Sequence, residues 1–527
     1  MLRKIGLSLL SAIFLVLAFP NPQISILAWI AFLPLFFAID GSSPRISFFL
    51  SYLSGFFFFG GLLYWLTYVT KPGYFILIFY AALYFGLFGL FANLFLTKLR
   101  ASGCNPLLFL IFPSLWVSLE FVRGFLFTGF PWCILGYTQY KNPIIIQISD
   151  ITGSYGVSFV IIMVNFVIYS CLTGVFTRGK IRALKFQVIV SAIIMAGVTL
   201  YGYFALKGND YDTGLRLSAV QGNIEQAKKW DPAYKNHILN RYKTLTKAAA
   251  KDGGDLIVWP ETAVPGYLGE KEIDLWLKKI IKNGGIPLFL GAVTYAPDKG
   301  NDRFFNSALL FSADGNVRKR YDKLHLVPFG EYVPFESFFP QLRDLIDVEI
   351  GDFTAGKEFT LFAIRSGEGK RYKYGSLICF EDIFPAMAGK FVREGADFMI
   401  NITNDAWFKE SGEQLQHVQA SVFRAVENRI SVLRAANTGF SCCVSPRGII
   451  EDSIHDERTG SMYIPDFKSF DIKISRKKAF YTKYGDVFAY ICILSVLIFC
   501  LRALMGGKNP CQNHPYGVNK TIKYNQN

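Results

Sequence analysis

The sequence predicts two joined parts: a polytopic α-helical membrane bundle of about eight spans, and a layered α/β domain held outside the cytoplasm. Three observations predict it. Long apolar runs fill the chain up to Leu206 and return from Val487 to Leu504. Between them, short strands alternate with helical stretches, the pattern of layered α/β structure. Charged residues make up only 18% of the 527, and 52% are hydrophobic, 51 of them Phe; soluble domains carry ~25% charge.

The apolar runs are taken in order. Ile5 to Phe19 follows Arg3 and Lys4 and has the form of a signal peptide, but no small-residue cleavage site follows it. Pro20-Asn21-Pro22 instead turns into a second run, Ile24 to Ile39. Further runs are Phe48 to Val69, Tyr74 to Leu96, Leu107 to Phe127, Tyr155 to Phe176 and Phe186 to Leu206, with Val487 to Leu504 the eighth. A span needs ~20 apolar residues, ~17 at the least. Glu120 and Arg123 make the fifth run the least clean. The chain divides into membrane region 1–206, globular domain 207–482, last span 483–506 and tail 507–527.

Loop charge sets the orientation. With the N-terminus inside, the inner segments hold Arg3, Lys4, Arg45, Lys98, Arg100, Arg178, Lys180, Arg182 and Lys185, and the tail adds Arg502, Lys508, Lys520 and Lys523. The outer loops hold only Lys71, Arg123 and Lys141. Both termini are then cytoplasmic, and Lys207 to Gly485 lies outside. The apolar outer loop Thr128 to Ser154 has two readings: packing between spans and domain, or a surface that meets lipid headgroups or gates substrate. The formal charge of +15 comes from Lys and Arg spread through loops, without a nucleic-acid motif, and fits a membrane surface. Nine Cys without CxxC spacing and five separate His indicate neither a metal site nor a disulfide framework. Adjacent Cys442 and Cys443 read as core residues on opposite faces of a strand.

In the globular part the predicted strands are Arg216 to Gln221, Leu256 to Trp259, Pro287 to Val293, Ser307 to Phe311, Val317 to Tyr321, Tyr374 to Ile378, Phe398 to Thr403, Ser431 to Ala436 and Ser441 to Ser445. Helices are predicted at Tyr234 to Lys251, Glu272 to Asn283, Ile383 to Glu394 and Leu415 to Arg429. Ala313-Asp314-Gly315-Asn316 reads as a hairpin turn. His417, Arg424, Glu427 and Arg429 share one helix and read as a structural ion network.

Three strands end at a reactive residue. YGSLICFEDIFP ends its strand at Cys379, LIVWPETAVP near Glu261, and VRKRYDKLHLVPFGEYVP near Lys323. A thiol, an acid and an ammonium at strand ends are the parts of an activated-nucleophile site. A free thiol titrates near ~8.5, so a base must assist Cys379. Glu261 lies in an apolar collar, Trp259-Pro260 and Ala263-Val264-Pro265, suited to a proton acceptor. Lys323 follows the solvated-looking Arg318-Lys319-Arg320 but leads into the apolar Leu324, Leu326, Val327, Pro328 and Phe329. In TNDAWF, Asn404 and Trp407 either line the pocket or anchor a loop.

These motifs resemble the Glu-Lys-Cys triad of the nitrilase superfamily. Within it, the spans ahead of the domain, TGFPW at Thr128 to Trp132, and KLHLVPFGEYVP at Lys323 to Pro334 look like the apolipoprotein N-acyltransferase family. The resemblance runs from about Ile5 to the last span. It implies a four-layer αββα sandwich, with Cys379 as nucleophile, Glu261 as general base, and Lys323 as oxyanion stabiliser beside the backbone N–H of Phe380. It implies that Glu331 holds Lys323 or assists proton transfer, and that Glu381 positions the site. Trp230 matches a tryptophan near the substrate entrance; a hydrophobic anchor is the alternative. Phe380 departs from the family's usual Tyr, so no hydroxyl stands there.

The implied reaction moves an acyl chain from a membrane phospholipid, through thioacyl-Cys379, to the α-amine of a diacylated apolipoprotein. No cofactor, metal or nucleic acid is expected, and the protein is expected to be a monomer in the inner membrane with its catalytic domain in the periplasm. Two alternatives stand beside it. One is a membrane-anchored amidase, for which a single anchor would suffice. The other is a transporter with a degenerate binding domain, which the nearly uncharged spans disfavour.

Overall fold

The computed structural model describes residues 1–102, 106–174, 181–208, 211–297, 302–333, 336 and 352–504. Arg178, Lys180, the tail residues Lys508, Lys520 and Lys523, and all but Glu336 of the Phe-rich stretch Phe335 to Pro340, expected from its sequence to help keep water from a thioester, lie outside them.

Among the described residues, five helices are long and apolar enough to cross a membrane: Pro44–Leu62, Lys71–Lys98, Ser154–Thr173, Ile181–Lys207 and Val487–Leu504. Leu2–Ala18 follows the first apolar run with 17 residues. The second run is not one helix. A 3₁₀ turn, Ser25–Trp29, is followed by the short helix Leu33–Ile39, with Pro34 in its first turn, where proline's missing N–H leaves no bond unmade. The fifth run is α-helical only over Ile111–Arg123, and Phe127 beyond it sits at φ 53, which no continuing helix allows. Small residues let the helices Pro44–Leu62 and Lys71–Lys98 touch. A Cβ on Gly55 would lie 2.6 Å from Phe85 Cβ, and one on Gly89 2.5 Å from the Ser47 carbonyl.

The globular part has two large sheets face to face, with a small two-stranded pair, Tyr211–Asp212 and Ile474–Ser475, beside them. One runs in the order Asp466–Asp471, Arg216–Gln221, Leu256–Val258, Leu288–Ala296, Arg303–Phe311, Val317–Asp322, with Tyr267–Leu268 beside Leu288–Ala296. The other runs Ile450–Ser453, Cys442–Val444, Ser431–Ala436, Phe398–Thr403, Arg371–Ile378, Phe362–Arg365. The period of two divides each strand between layers. Leu256 and Val258 join the core between the sheets, whereas Ile257 joins a second core under the helices Lys235–Asp252 and Lys271–Gly284. Across the sandwich, Phe289 packs 5.3 Å from Tyr374 and 4.9 Å from Phe362. Helices Pro385–Arg393 and Glu413–Asn428 cover the outer face of the second sheet. The hairpin forms where expected, with Gly315 at φ +78 between antiparallel strands.

Glu413–Asn428 is polar yet buried at every one of its 16 residues but Leu415. The outer loop of the membrane region covers its other face. Gln416 Oε1 accepts from the indole N–H of Trp65 (3.1 Å) and of Trp132 (3.0 Å). Gln419 donates to the Tyr137 carbonyl, the Ser154 N–H donates to Glu427, and Arg429 pairs with Asp150 at 2.6 Å. Of the two readings of Thr128–Ser154, packing between spans and domain is therefore met by its buried Trp132, Tyr137, Gln139 and Gln147. Arg424, Glu427 and Arg429 form the expected ion network, which is also the joint between the two parts.

Candidate active site

Cys379 ends the strand Arg371–Ile378, which lies parallel to Phe398–Thr403. Its φ of 53 turns the chain sharply into a 3₁₀ turn, Cys379–Ile383, and leaves the thiol half-buried at the strand end. A non-glycine residue in that region is strained and must be held by its surroundings. Glu261 follows the strand Leu256–Val258, and Lys323 follows Val317–Asp322. Both belong to the other sheet, so the site sits where strand ends of the two sheets meet.

Lys323 is 1% exposed, unlike the basic residues Arg318 and Lys319 that precede it. Its Nζ lies 3.5 Å from Glu261 Oε1 and 3.0 and 2.9 Å from the two Glu331 oxygens. Asn306 Nδ2 donates to Oε1 of both carboxylates, at 2.7 and 2.8 Å. Burial alone would lower the ammonium's pKa, but Glu331 and Glu261 outweigh it and hold Lys323 charged. The Cys379 thiol is pushed up by burial and by Glu261, against the pull of Lys323. A thiol raised in this way needs a base before it can act as a nucleophile.

Glu381 is wholly buried and ties the two sheets together. Its carboxylate accepts from the N–H groups of Ile378 (2.8 Å), Leu324 (2.7 Å) and His325 (3.1 Å), and from the Tyr321 hydroxyl. The turn carrying Cys379 and the segment carrying Lys323 are thus held by one side chain. Phe380 is partly buried and stacks 6.5 Å from Phe130 of the membrane region. Asn404 is 3% exposed, its amide engaged with Gln226 and Asn437, so it braces the segment that leads to Trp230. Trp230 and Trp407 are 45% and 40% exposed.

Three residues at the site escape sequence reading. Asn306, in the middle of an apolar strand, joins the two carboxylates; a lone amide in RFFNSALLF was the available signal. Gly291 lies against the Glu261 backbone, where an added Cβ would fall 2.6 Å from Glu261 Cα. Lys229, 3% exposed, donates to the Glu261 carbonyl and to Thr262 Oγ1, which holds the turn at Thr262, φ 44. Burial lowers its pKa to about 8.

Beneath Cys379, Asp405, Glu413 and His417 bring three ligand-type atoms within 4.8 Å of one another. Arg434 Nη2 already lies 2.7 Å from Asp405 and 2.9 Å from His417 Nδ1. A guanidinium in that place repels a cation, so the group is an ion network. Of the two histidines nearby, His417 Nε2 meets the Cys379 carbonyl, and His325 packs on Phe384 at 4.0 Å.

Residues 11–167 match the family described as Apolipoprotein N-acyltransferase N-terminal domain, and residues 216–467 match Carbon-nitrogen hydrolase. The apolipoprotein N-acyltransferase of Geobacter metallireducens is 36% identical over 514 residues, 95% of each chain. That of Brucella suis is 34% identical over 393 residues, covering 72% of this chain and 71% of its own. With both halves matched and relatives aligned nearly end to end, the chain belongs to the apolipoprotein N-acyltransferase family.

Proposed function

We propose that the chain moves an acyl group from a membrane phospholipid to a thioester on Cys379, and from there to the α-amine of an apolipoprotein's N-terminal S-diacylglyceryl-cysteine. Family membership makes it a membrane acyltransferase of lipoprotein N-acylation. The observation that carries the catalytic roles is the convergence of Glu261, Lys323 and Glu331 on one Asn306-braced cluster acting on the Cys379 thiol.

In the first half-reaction Glu261 takes the thiol proton as sulfur attacks the ester carbonyl. Lys323 Nζ and the Phe380 N–H stabilise the oxyanion. The intermediate collapses, the leaving glycerol oxygen takes the proton from Glu261, and lysophospholipid departs. In the second, the acceptor amine attacks the thioester and gives its proton to Glu261, which returns it to the thiolate as the amide forms. Glu331 keeps Lys323 charged and in place, and Glu381 keeps the two sheets' contributions in register. Trp230 and Trp407 meet the substrates at the rim.

The divisions 1–206, 207–482 and 483–506 are kept, with the termini cytoplasmic, the catalytic domain periplasmic and the protein a monomer. Loop charge supports that orientation, and both substrates are lipids, whose effective concentration a bilayer-held site raises. Purified protein, with Cys379→Ala as control, is given fluorescent phospholipid and a diacylated lipopeptide. Transfer to peptide that Cys379→Ala abolishes is expected. Release of free fatty acid alone would make the protein an amidase-like hydrolase, and inertness of both forms would favour a binding or transport role.

A further inference from the structure

We infer that His417 and Asn401 are positioning residues of the oxyanion hole, acting through the peptide bond between Cys379 and Phe380. The inference rests on the proposed roles of Cys379 and of the Phe380 N–H.

A trans peptide is planar, with its C=O and N–H on opposite edges. The Cys379 carbonyl and the Phe380 N–H belong to one such plane. The carbonyl edge faces the buried network: His417 Nε2 lies 3.2 Å from Cys379 O, and Asn401 Nδ2 lies 3.4 Å from it. The N–H edge therefore points away from His417. Cys379 lies at φ 53, where an unsupported residue would relax, so something must hold this plane.

The surroundings fix the donors. Arg434 Nη2, 2.9 Å from His417 Nδ1, donates to that nitrogen when the ring is neutral. Nε2 then carries the ring's proton, as it also does in the charged ring. The acceptor facing it, a carbonyl oxygen, requires the same. Arg434 Nη1 donates to Asn401 Oδ1 at 3.0 Å, which turns the Asn401 NH₂ toward the carbonyl. Both donors thus depend on Arg434, itself anchored by Asp405 at 2.7 Å and fully buried. Hydrogen bonds donated into an amide carbonyl also strengthen its N–H as a donor, since chained bonds polarise one another. The network orients and sharpens the oxyanion donor without touching substrate. It reaches the membrane region as well, because Trp132 packs 5.3 Å from the His417 ring.

The test follows acyl loading of Cys379 by phospholipid carrying a ¹³C-labelled ester carbonyl. It reads rate by intact mass and the thioester carbonyl band by difference infrared. His417→Leu removes a donor at similar volume. It is expected to lower the loading rate at saturating lipid roughly tenfold to 100-fold, below the 10²–10³ of losing an oxyanion donor outright. Half-saturation should change little, and the band should move to higher frequency. His417→Gln, which can again donate, should recover most of the rate. Asn401→Asp swaps the second donor for an acceptor and keeps the partner of Arg434. It should shift the band the same way and slow loading severalfold, and it stands as the test if the leucine variant does not fold. A folded variant that loads within twofold of wild type with an unmoved band overturns the inference. A wild type that never carries acyl on Cys379 overturns the reading of the nucleophile instead.

Discussion

The two halves of the site are anchored differently. Cys379 belongs to the sheet whose outer helix, Glu413–Asn428, is joined to the membrane region through Gln416, Gln419, Glu427 and Arg429. Glu261 and Lys323 follow strands of the other sheet, with Glu331 in a turn beyond Lys323, and that sheet's outer helices Lys235–Asp252 and Lys271–Gly284 cover its own core. The turn carrying Cys379, the proposed nucleophile, is thus joined to the membrane region. The segment carrying Lys323 is fixed relative to that turn by Glu381. That division teaches where to cut: each link can be broken separately.

Breaking the acid–base half has the largest expected effect. Lys323→Ala removes the proposed oxyanion donor, for an expected loss of roughly 10²–10³ in rate. It also leaves Glu261 and Glu331 sharing Asn306 without the cation between them. The loss should fall on the rate at saturation in both half-reactions. A change confined to half-saturation would make Lys323 a headgroup contact.

Breaking the link between halves comes next. Glu381→Gln places an NH₂ among donor groups from Ile378, Leu324, His325 and Tyr321. A buried hydrogen-bonding mismatch costs about 1–3 kcal/mol, so a lower Tm and slower loading should appear together. An unchanged Tm with slow loading would mean that Glu381 acts on substrate directly.

The smallest effect tests the seat of Glu261. Lys229 has a pKa lowered to about 8 by burial, against ~10.4 for a free lysine. Between those values the unfolded chain holds a proton that the folded chain has lost, so this residue makes stability rise with pH across that window. Lys229→Met should flatten that part of the Tm–pH curve relative to wild type. An unaltered slope would mean that Lys229 is not the titrating group.

Why some of this was legible in sequence follows from the residues. Arg216–Gln221, Phe398–Thr403 and Ser431–Ala436 form as expected because buried strands of a parallel sheet are short apolar runs with clear ends. The edge strands Phe362–Arg365 and Asp466–Asp471 are half-exposed and carry no such signal; a neighbour's backbone defines them. Reactive groups at strand ends stood out because apolar sequence surrounds them. Lys228 and Lys229 show the opposite case. They are adjacent and identical, yet Lys228 pairs with Glu225 in solvent while Lys229 is buried against Glu261. Only the tertiary fold separates them. The His417–Arg434–Asn401 network was hidden for the same reason, its members lying on one helix and two strands.

The central claim is that lipid alone loads the nucleophile. Intact protein is incubated with phospholipid and no acceptor, then weighed and mapped by peptide. One acyl mass on Cys379, absent from Cys379→Ser and discharged on adding a diacylated lipopeptide, is the expected result. Peptide acylation at full rate by Cys379→Ser, or an acyl group found on another residue, would contradict the account.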